Sequence, residues 1–265
     1  MKNLRNNEFL IELFSLVIIV TLIQAVWVTG IRPHAEAVLA ANQAAMVADK
    51  NFVPDRDMYT ILKDYEPETC VIFSLWAFFM IGYKAFGIVR SRRMLETDLL
   101  SLPPGVRILP EDSREYARQI EALAPQLQQE LLPRALLSGL HRFGATRNIQ
   151  DVATAIRDTC NLETDRLDSE LSMVRFVAWA IPAIGFVGTV RGIGNSLQQA
   201  HKAVEGDVSG VVAGLGTSFN STLVALSLSI LVMLCLHQMQ LRQERTVLDT
   251  EIYLDTHLIR HLQMR

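Results

Sequence analysis

Residues 174–197 read VRFVAWAIPAIGFVGTVRGIGNSL. The stretch is apolar over the length a helix needs to cross a bilayer, about 20 residues. It also carries Pro182, four glycines (Gly185, Gly188, Gly192 and Gly194) and the polar residues Thr189 and Arg191. Gly188 and Gly192 are spaced as a small-xxx-small pair, which lets a second helix approach closely. A matching run follows at residues 211–237, VVAGLGTSFNSTLVALSLSILVMLCLH, opened by the pair Gly210 and Gly214. It sets Thr217, Ser218, Asn220, Ser221, Thr222, Ser227 and Ser229 at membrane depth. Polar groups there cost free energy unless they find partners, so they face a bundle interior or a water-filled path. A lone Ser or Thr in such a helix is explained by a bond back to the i−4 carbonyl. The whole set, in two spans with a proline at depth, favours a polar path between the helices.

Two further runs are long enough to span. Residues 9–28 hold only Glu12 as a charge, and residues 70–89 read CVIFSLWAFFMIGYKAFGIV, with Lys84 near enough to the end to snorkel. The first run exceeds the usual length of a signal-peptide core, so it reads as a retained membrane helix although Ala35-Glu36-Ala37 resembles a cleavage site. Lys2 and Arg5 precede the first run, and Arg90, Arg92 and Arg93 follow the second. The positive-inside rule then puts both termini in the cytoplasm. The expected order is a first membrane helix (1–29), a periplasmic loop (30–69), a second membrane helix (70–89) and a cytoplasmic helical domain (90–173). A third membrane helix (174–200), a short periplasmic turn (201–210), a fourth membrane helix (211–237) and a cytoplasmic C-terminal helix (238–265) complete it. The outer loop carries Glu36, Asp49, Asp55, Asp57, Asp64, Glu66 and Glu68 against Arg32, Lys50, Arg56 and Lys63, and its Ala-rich run 35–48 favours helix.

Composition agrees with a membrane protein carrying a soluble part. Half of the 265 residues are apolar and a fifth are charged, with mean hydropathy +0.22. A net charge of −3 supplies no basic field for nucleic acid. Cys70, Cys160 and Cys235 are too few and too scattered for a disulfide framework or a zinc site. His257 and His261 lie one helical turn apart but without further ligands nearby, so no metal is expected. The run GTVRGIG lacks both the strand context and the Lys-Ser/Thr ending of a phosphate loop. No nucleophile–base pair marks an enzyme. In the polar block, Pro103-Pro104-Gly105 breaks the chain, helices are expected over about 110–124 and over 126–142 interrupted by Pro133, and Asn148 is a candidate N-cap. From Asn148 the pattern predicts a helix running without a break into the third span, and the fourth span continues likewise into the C-terminal segment. The fold class is therefore all-α, with four transmembrane helices whose long third and fourth members extend into a helical cytoplasmic domain.

The residues 182–193, PAIGFVGTVRGI, resemble the P-x-x-G-L-x-G-T-V-x-G-I signature of the MotA/TolQ/ExbB proton-channel family. Thr222-Leu-Val-Ala225-Leu226 is similar to the second signature helix of that family. Four spans are closer to the MotA plan than to the three-span TolQ and ExbB plan. The resemblance implies a homopentamer in the bacterial inner membrane. Its signature helices would line a pore around two copies of a single-span partner like MotB, TolR or ExbD, whose membrane Asp carries the ion. It implies no cofactor, only a transported H⁺ or Na⁺. Thr189 and Thr222 occupy the positions of the family's pore threonines, with Thr217, Ser218, Asn220 and Ser221 beside them as further ion-pathway candidates. Pro182, Gly185, Gly188 and Gly192 are the packing and hinge positions. Two departures stand out: ExbB-like members carry a Glu where this chain has Thr217, and Arg191 replaces an uncharged residue. Arg191 either pairs with the partner's Asp or gates the outer mouth, or else snorkels to headgroups. Spans three and four hold no acid, so a carboxylate must come from elsewhere. A membrane scaffold that assembles other envelope proteins is the alternative function.

Overall fold

A computed structural model of the chain describes residues 2–48, 57–100 and 106–264, and the side chains of these residues except 2–9 and 47. Pro103-Pro104-Gly105 and the loop charges Asp49, Lys50, Asp55 and Arg56 lie outside the described residues. Helix α1 (Lys2–Val26) passes through a π-helical turn at Trp27–Ile31 into α2 (Arg32–Ala48). The widened turn precedes Pro33, which brings no N–H to the helical ladder. After α3 (Met58–Leu62) comes α4 (Tyr65–Leu95), with Glu66 and Glu68 in its first turn and Arg92 and Arg93 in its last, each complementing the helix dipole. Short helices α5 (Ser113–Glu121) and α6 (Pro125–Gln128) lead to α7 (Leu131–Thr146) and α8 (Ile149–Glu170). Next are α9 (Ser172–Gln198), α10 (Ala200–Val204), the 49-residue α11 (Ser209–His257) and a closing 3₁₀ turn at Ile259–His261.

Four helical stretches are long and apolar enough to cross a membrane: Leu10–Met46, Tyr65–Leu95, Ile149–Gln198 and Ser209–His261. Among the described residues no strand forms beyond one isolated bridge, Ile108 with Leu262. The all-α, four-span expectation is met. Asn148 caps α8 as read, its side chain accepting from the Gln150 N–H at 2.9 Å. Two local readings change. Pro133 does not interrupt a helix; it falls in the first turn of α7, where its missing N–H removes no ladder bond. The helix from Asn148 is not unbroken either, since Leu171 separates α8 from α9, its N–H turning to the Asp168 carbonyl at 3.2 Å.

The chain folds as two compact units, residues 1–81 with 173–236, and residues 82–172 with 237–265. In the first, Trp76 donates its indole N–H to the Glu12 carbonyl (3.0 Å) and Trp27 donates to the Leu62 carbonyl (2.8 Å). Helix α9 buries Val174, Val177, Ala178, Ile181, Gly185, Gly188, Gly192 and Ser196, a stripe at helical spacing. Trp179, Phe186 and Val190 are exposed on the same helix. The second unit has an apolar core in which Leu136, Leu140 and Phe143 of α7 meet Val152, Ile156 and Cys160 of α8 and Leu254 and Leu258 near the chain's end. Gly139 permits this approach, because a Cβ there would meet Leu258 Cδ2 at 3.0 Å. Lys84 does not snorkel. It is buried, 4.0 Å from the Glu170 carboxylate.

Candidate ion pathway

The first unit brings α9 and α11 together along a seam of small residues. A Cβ built on Gly192 would lie 2.6 Å from the Gly214 carbonyl oxygen and 2.8 Å from the Ser218 nitrogen, both backbone atoms that cannot swing aside. Added at Gly188, it would meet the Ser221 hydroxyl at 2.8 Å and Cγ of Glu66 at 3.2 Å. Gly185 packs against Ala225 in the same way. Glycine on one helix and small hydroxyl residues on the other therefore let the backbones touch.

Polar groups close the seam. The Ser218 hydroxyl donates to the carbonyls of Thr189 and Gly214, both at 3.1 Å, and Ser196 reaches the carbonyls of Gly192 and Val211, both at 3.0 Å. Thr189 and Thr222 are hydrogen-bonded to one another through their hydroxyls. Each also reaches the carbonyls of Gly185 and Ser218, at 3.2 and 3.4 Å from Thr189 and at 3.3 Å for both from Thr222. A hydroxyl has one proton to donate and two lone pairs to accept with. The two threonines thus share two carbonyls between two protons, and either can give its proton to the other. The bonds to the i−4 carbonyls that a purely structural role requires are present in the same network. Among the described residues, Thr217 and Asn220 are half-buried in α11 and make no hydrogen bond in this network, while the Ser221 hydroxyl is fully buried without a partner.

Pro182 has a local consequence. Lacking an N–H, it leaves the Ala178 carbonyl, four residues earlier, without its helical donor. Ser229 of α11 supplies one, its hydroxyl 3.3 Å from that oxygen. The neighbouring Ile181 carbonyl is met by the Cys70 thiol of α4 at 3.7 Å.

Arg191 is held by its own chain. Its guanidinium donates to Glu66 at 2.7 Å and lies 3.7 Å from Asp64. Beside this, Arg32 donates to Glu68 at 2.6 Å and stacks over the Tyr65 ring at 4.5 Å. Arg32, Glu36, Lys63, Asp64, Tyr65 and Arg191 line a cleft of about 230 Å³. Sequence reasoning set these acids in an outer loop and did not join them to Arg191. The available signal was a charged residue in a membrane helix needing a counter-ion, with acids immediately ahead of a second such helix.

In the turn between α9 and α11, the Asp207 carboxylate accepts from the Ser209 hydroxyl and from its N–H, at 3.0 Å for the latter. These bonds hold its carboxyl below the ordinary carboxylate range.

Residues 127–252, which take in the whole α9–α11 seam, match the family model described as the MotA/TolQ/ExbB proton channel family. Over these residues the chain is similar to that family. No curated protein matches the chain, and no solved structure matches it. This likeness, together with four membrane-length helices, supports a multi-pass membrane protein. The match begins in α6 and leaves out the first two membrane-length stretches and the acids that hold Arg191.

Proposed function

We propose that the chain is the pore-forming subunit of an ion-driven energy-transducing complex in a bacterial inner membrane, with both termini in the cytoplasm. Five copies surround two copies of a single-span, MotB/TolR/ExbD-like partner, and cation flow moves the partner helices to do work beyond the membrane. The observation that supports this best is the pair Thr189 and Thr222. Two hydroxyls from different helices share their acceptors, so the oxygens keep free lone pairs and the protons can reorient toward an arriving group. A partner carboxylate that loads and releases H⁺ or Na⁺ at membrane depth needs such donors to offset the desolvation of its charged form. The transported ion is the substrate, and no resident cofactor is required.

The glycine seam by itself supports the scaffold alternative, since close helix packing serves assembly as well as conduction. Replacing Thr189 and Thr222 together by Val separates the two. The pore reading expects an assembled complex whose ion-coupled activity falls by a factor of about 100 or more, the scale on which a single lost transition-state donor acts in other sites. An assembled double variant with full activity would falsify it and leave the scaffold.

A further inference from the structure

We infer that the cleft lined by Arg32, Glu36, Lys63, Asp64, Tyr65 and Arg191 binds the headgroup of a zwitterionic phospholipid bearing a primary ammonium, of the phosphatidylethanolamine class. The inference needs the chain to span a bilayer and does not depend on ion conduction. It begins with depth. The apolar runs end at Val28 and resume at Cys70. Arg32 stands four residues beyond the first, and Tyr65 five residues before the second. At about 1.5 Å per residue, each lies roughly 6–8 Å from the hydrocarbon edge. The headgroup layer is about 5–8 Å thick on each side of the bilayer. Arg191 is joined to this level by its bond to Glu66, the residue after Tyr65. The cleft holds about 230 Å³, below the roughly 300 Å³ at which sites for drug-sized ligands begin. A small polar headgroup matches it in size.

The charges of the cleft fall into two sets. Arg32 and Arg191 are fixed from behind by Glu68 at 2.6 Å and Glu66 at 2.7 Å, two buried acids of the first turn of α4. A guanidinium has five N–H donors, so donors remain for a phosphate, whose oxygens suit them. Lys63 and Glu36 line the same cleft with opposite charges, yet neither forms an ion pair among the described residues. Asp64 lies 3.7 Å from Arg191, and its Oδ2 has no hydrogen-bond partner. A ligand with both charges on a short spacer answers both sets: its phosphate meets Lys63 and the guanidiniums, and its ammonium meets Glu36 and Asp64. The order along the membrane normal agrees. Glu36 is one helical turn beyond Arg32, farther from the hydrocarbon, as the ammonium lies beyond the phosphate in such a headgroup. Net charge then decides among lipids. Four carboxylates (Glu36, Asp64, Glu66 and Glu68) stand against three bases (Arg32, Lys63 and Arg191). An anionic headgroup would add to this negative surplus, whereas a zwitterion leaves it unchanged. A choline headgroup has the same net charge but no N–H to donate to a carboxylate.

The test is native mass spectrometry of the intact protein in its native assembly, released from nanodiscs of equal parts phosphatidylethanolamine, phosphatidylcholine and phosphatidylglycerol. The lipid that stays bound is counted for wild type, Glu36→Gln and Lys63→Ala. Glu36 is exposed and Lys63 half-buried, so neither substitution removes core packing. Wild type should retain phosphatidylethanolamine over the other two by about tenfold, the worth of one charge-assisted hydrogen bond. Lys63→Ala should lower that occupancy by a similar factor. Glu36→Gln removes the surplus charge together with the ammonium's partner, so its preference should turn toward phosphatidylglycerol. Equal retention of the three lipids by wild type, or a preference untouched by both substitutions, overturns the inference. Displacement of the lipid by free O-phosphoethanolamine at matched concentration also overturns it, in favour of a site for a soluble zwitterion. Cross-links from positions 36 and 63 to a single-span partner, with no lipid retained, overturn it in favour of protein docking. A complex that keeps phosphatidylethanolamine but carries no ion ends the pore reading alone, and a conducting complex that retains none of it ends this inference alone.

Discussion

Pro182 and Ser229 show how one residue's defect becomes another's role. The proline leaves the Ala178 carbonyl without a helical donor, and the Ser229 hydroxyl meets it from the facing helix. Replacing Ser229 by Ala should therefore lower the stability of the assembled protein by about 1 kcal/mol, the usual worth of an interhelical hydrogen bond at membrane depth. Replacing Pro182 by Ala as well returns the N–H, so Ser229→Ala should cost markedly less in that background. A double-mutant cycle on thermal unfolding in detergent checks this, and strictly additive effects would refute the pairing. The proline was legible in the sequence as a feature at depth, and so was the wealth of hydroxyls in α11. Which hydroxyl answers which carbonyl was not, because that depends on the axial offset of two helices that the periodicity of neither one fixes.

Between elements, the α9–α11 seam turns on glycines that differ in what surrounds them. At Gly192 a methyl group would meet backbone of α11, while at Gly194 nothing lies within 4 Å. Gly192→Ala should destabilise by about 1–3 kcal/mol, as overpacking does, and Gly194→Ala should be neutral or slightly favourable, since alanine suits a helix better. Unfolding of the two variants side by side tests the contrast, and equal losses would mean that the seam does not set their packing. The turn that joins the two helices carries a pH dependence of known sign. The Asp207 carboxyl is held below its ordinary range by Ser209. Its contribution is thus present above the ordinary carboxylate range and is lost as pH falls through the lowered value. Hydrogen-exchange protection at the start of α11 should decline on acidification in the wild type and stay flat in Asp207→Asn. Element by element, the sequence was most legible at chain ends of helices: Asn148 caps α8 as its side chain suggests. It was least legible where a helix tightens without a breaker, as at Leu171, because neither Gly nor Pro marks the place.

At the scale of the whole molecule, four helices were countable from hydropathy because membrane length is a property of single segments. The Glu66–Arg191 bond joins residues 125 apart and no local pattern encodes it. The assembly proposed for this chain is open to one measurement, the native mass of the complex extracted from cells that also express the single-span partner. Five copies of this chain with two of the partner are expected, and a stable monomer or dimer alone would sink the arrangement. The intrachain capture of Arg191 has a further consequence for such an assembly. An ion carrier has to let go of each cation and of each site it visits. A bare guanidinium two residues from Thr189 would seize an arriving carboxylate as a lasting salt bridge, and the cycle would stall on its first turn. With Glu66 and Asp64 already holding it, Arg191 would be spent before such a visitor came, and the hydroxyls of Thr189 and Thr222, which hold weakly and release readily, would be left to greet it.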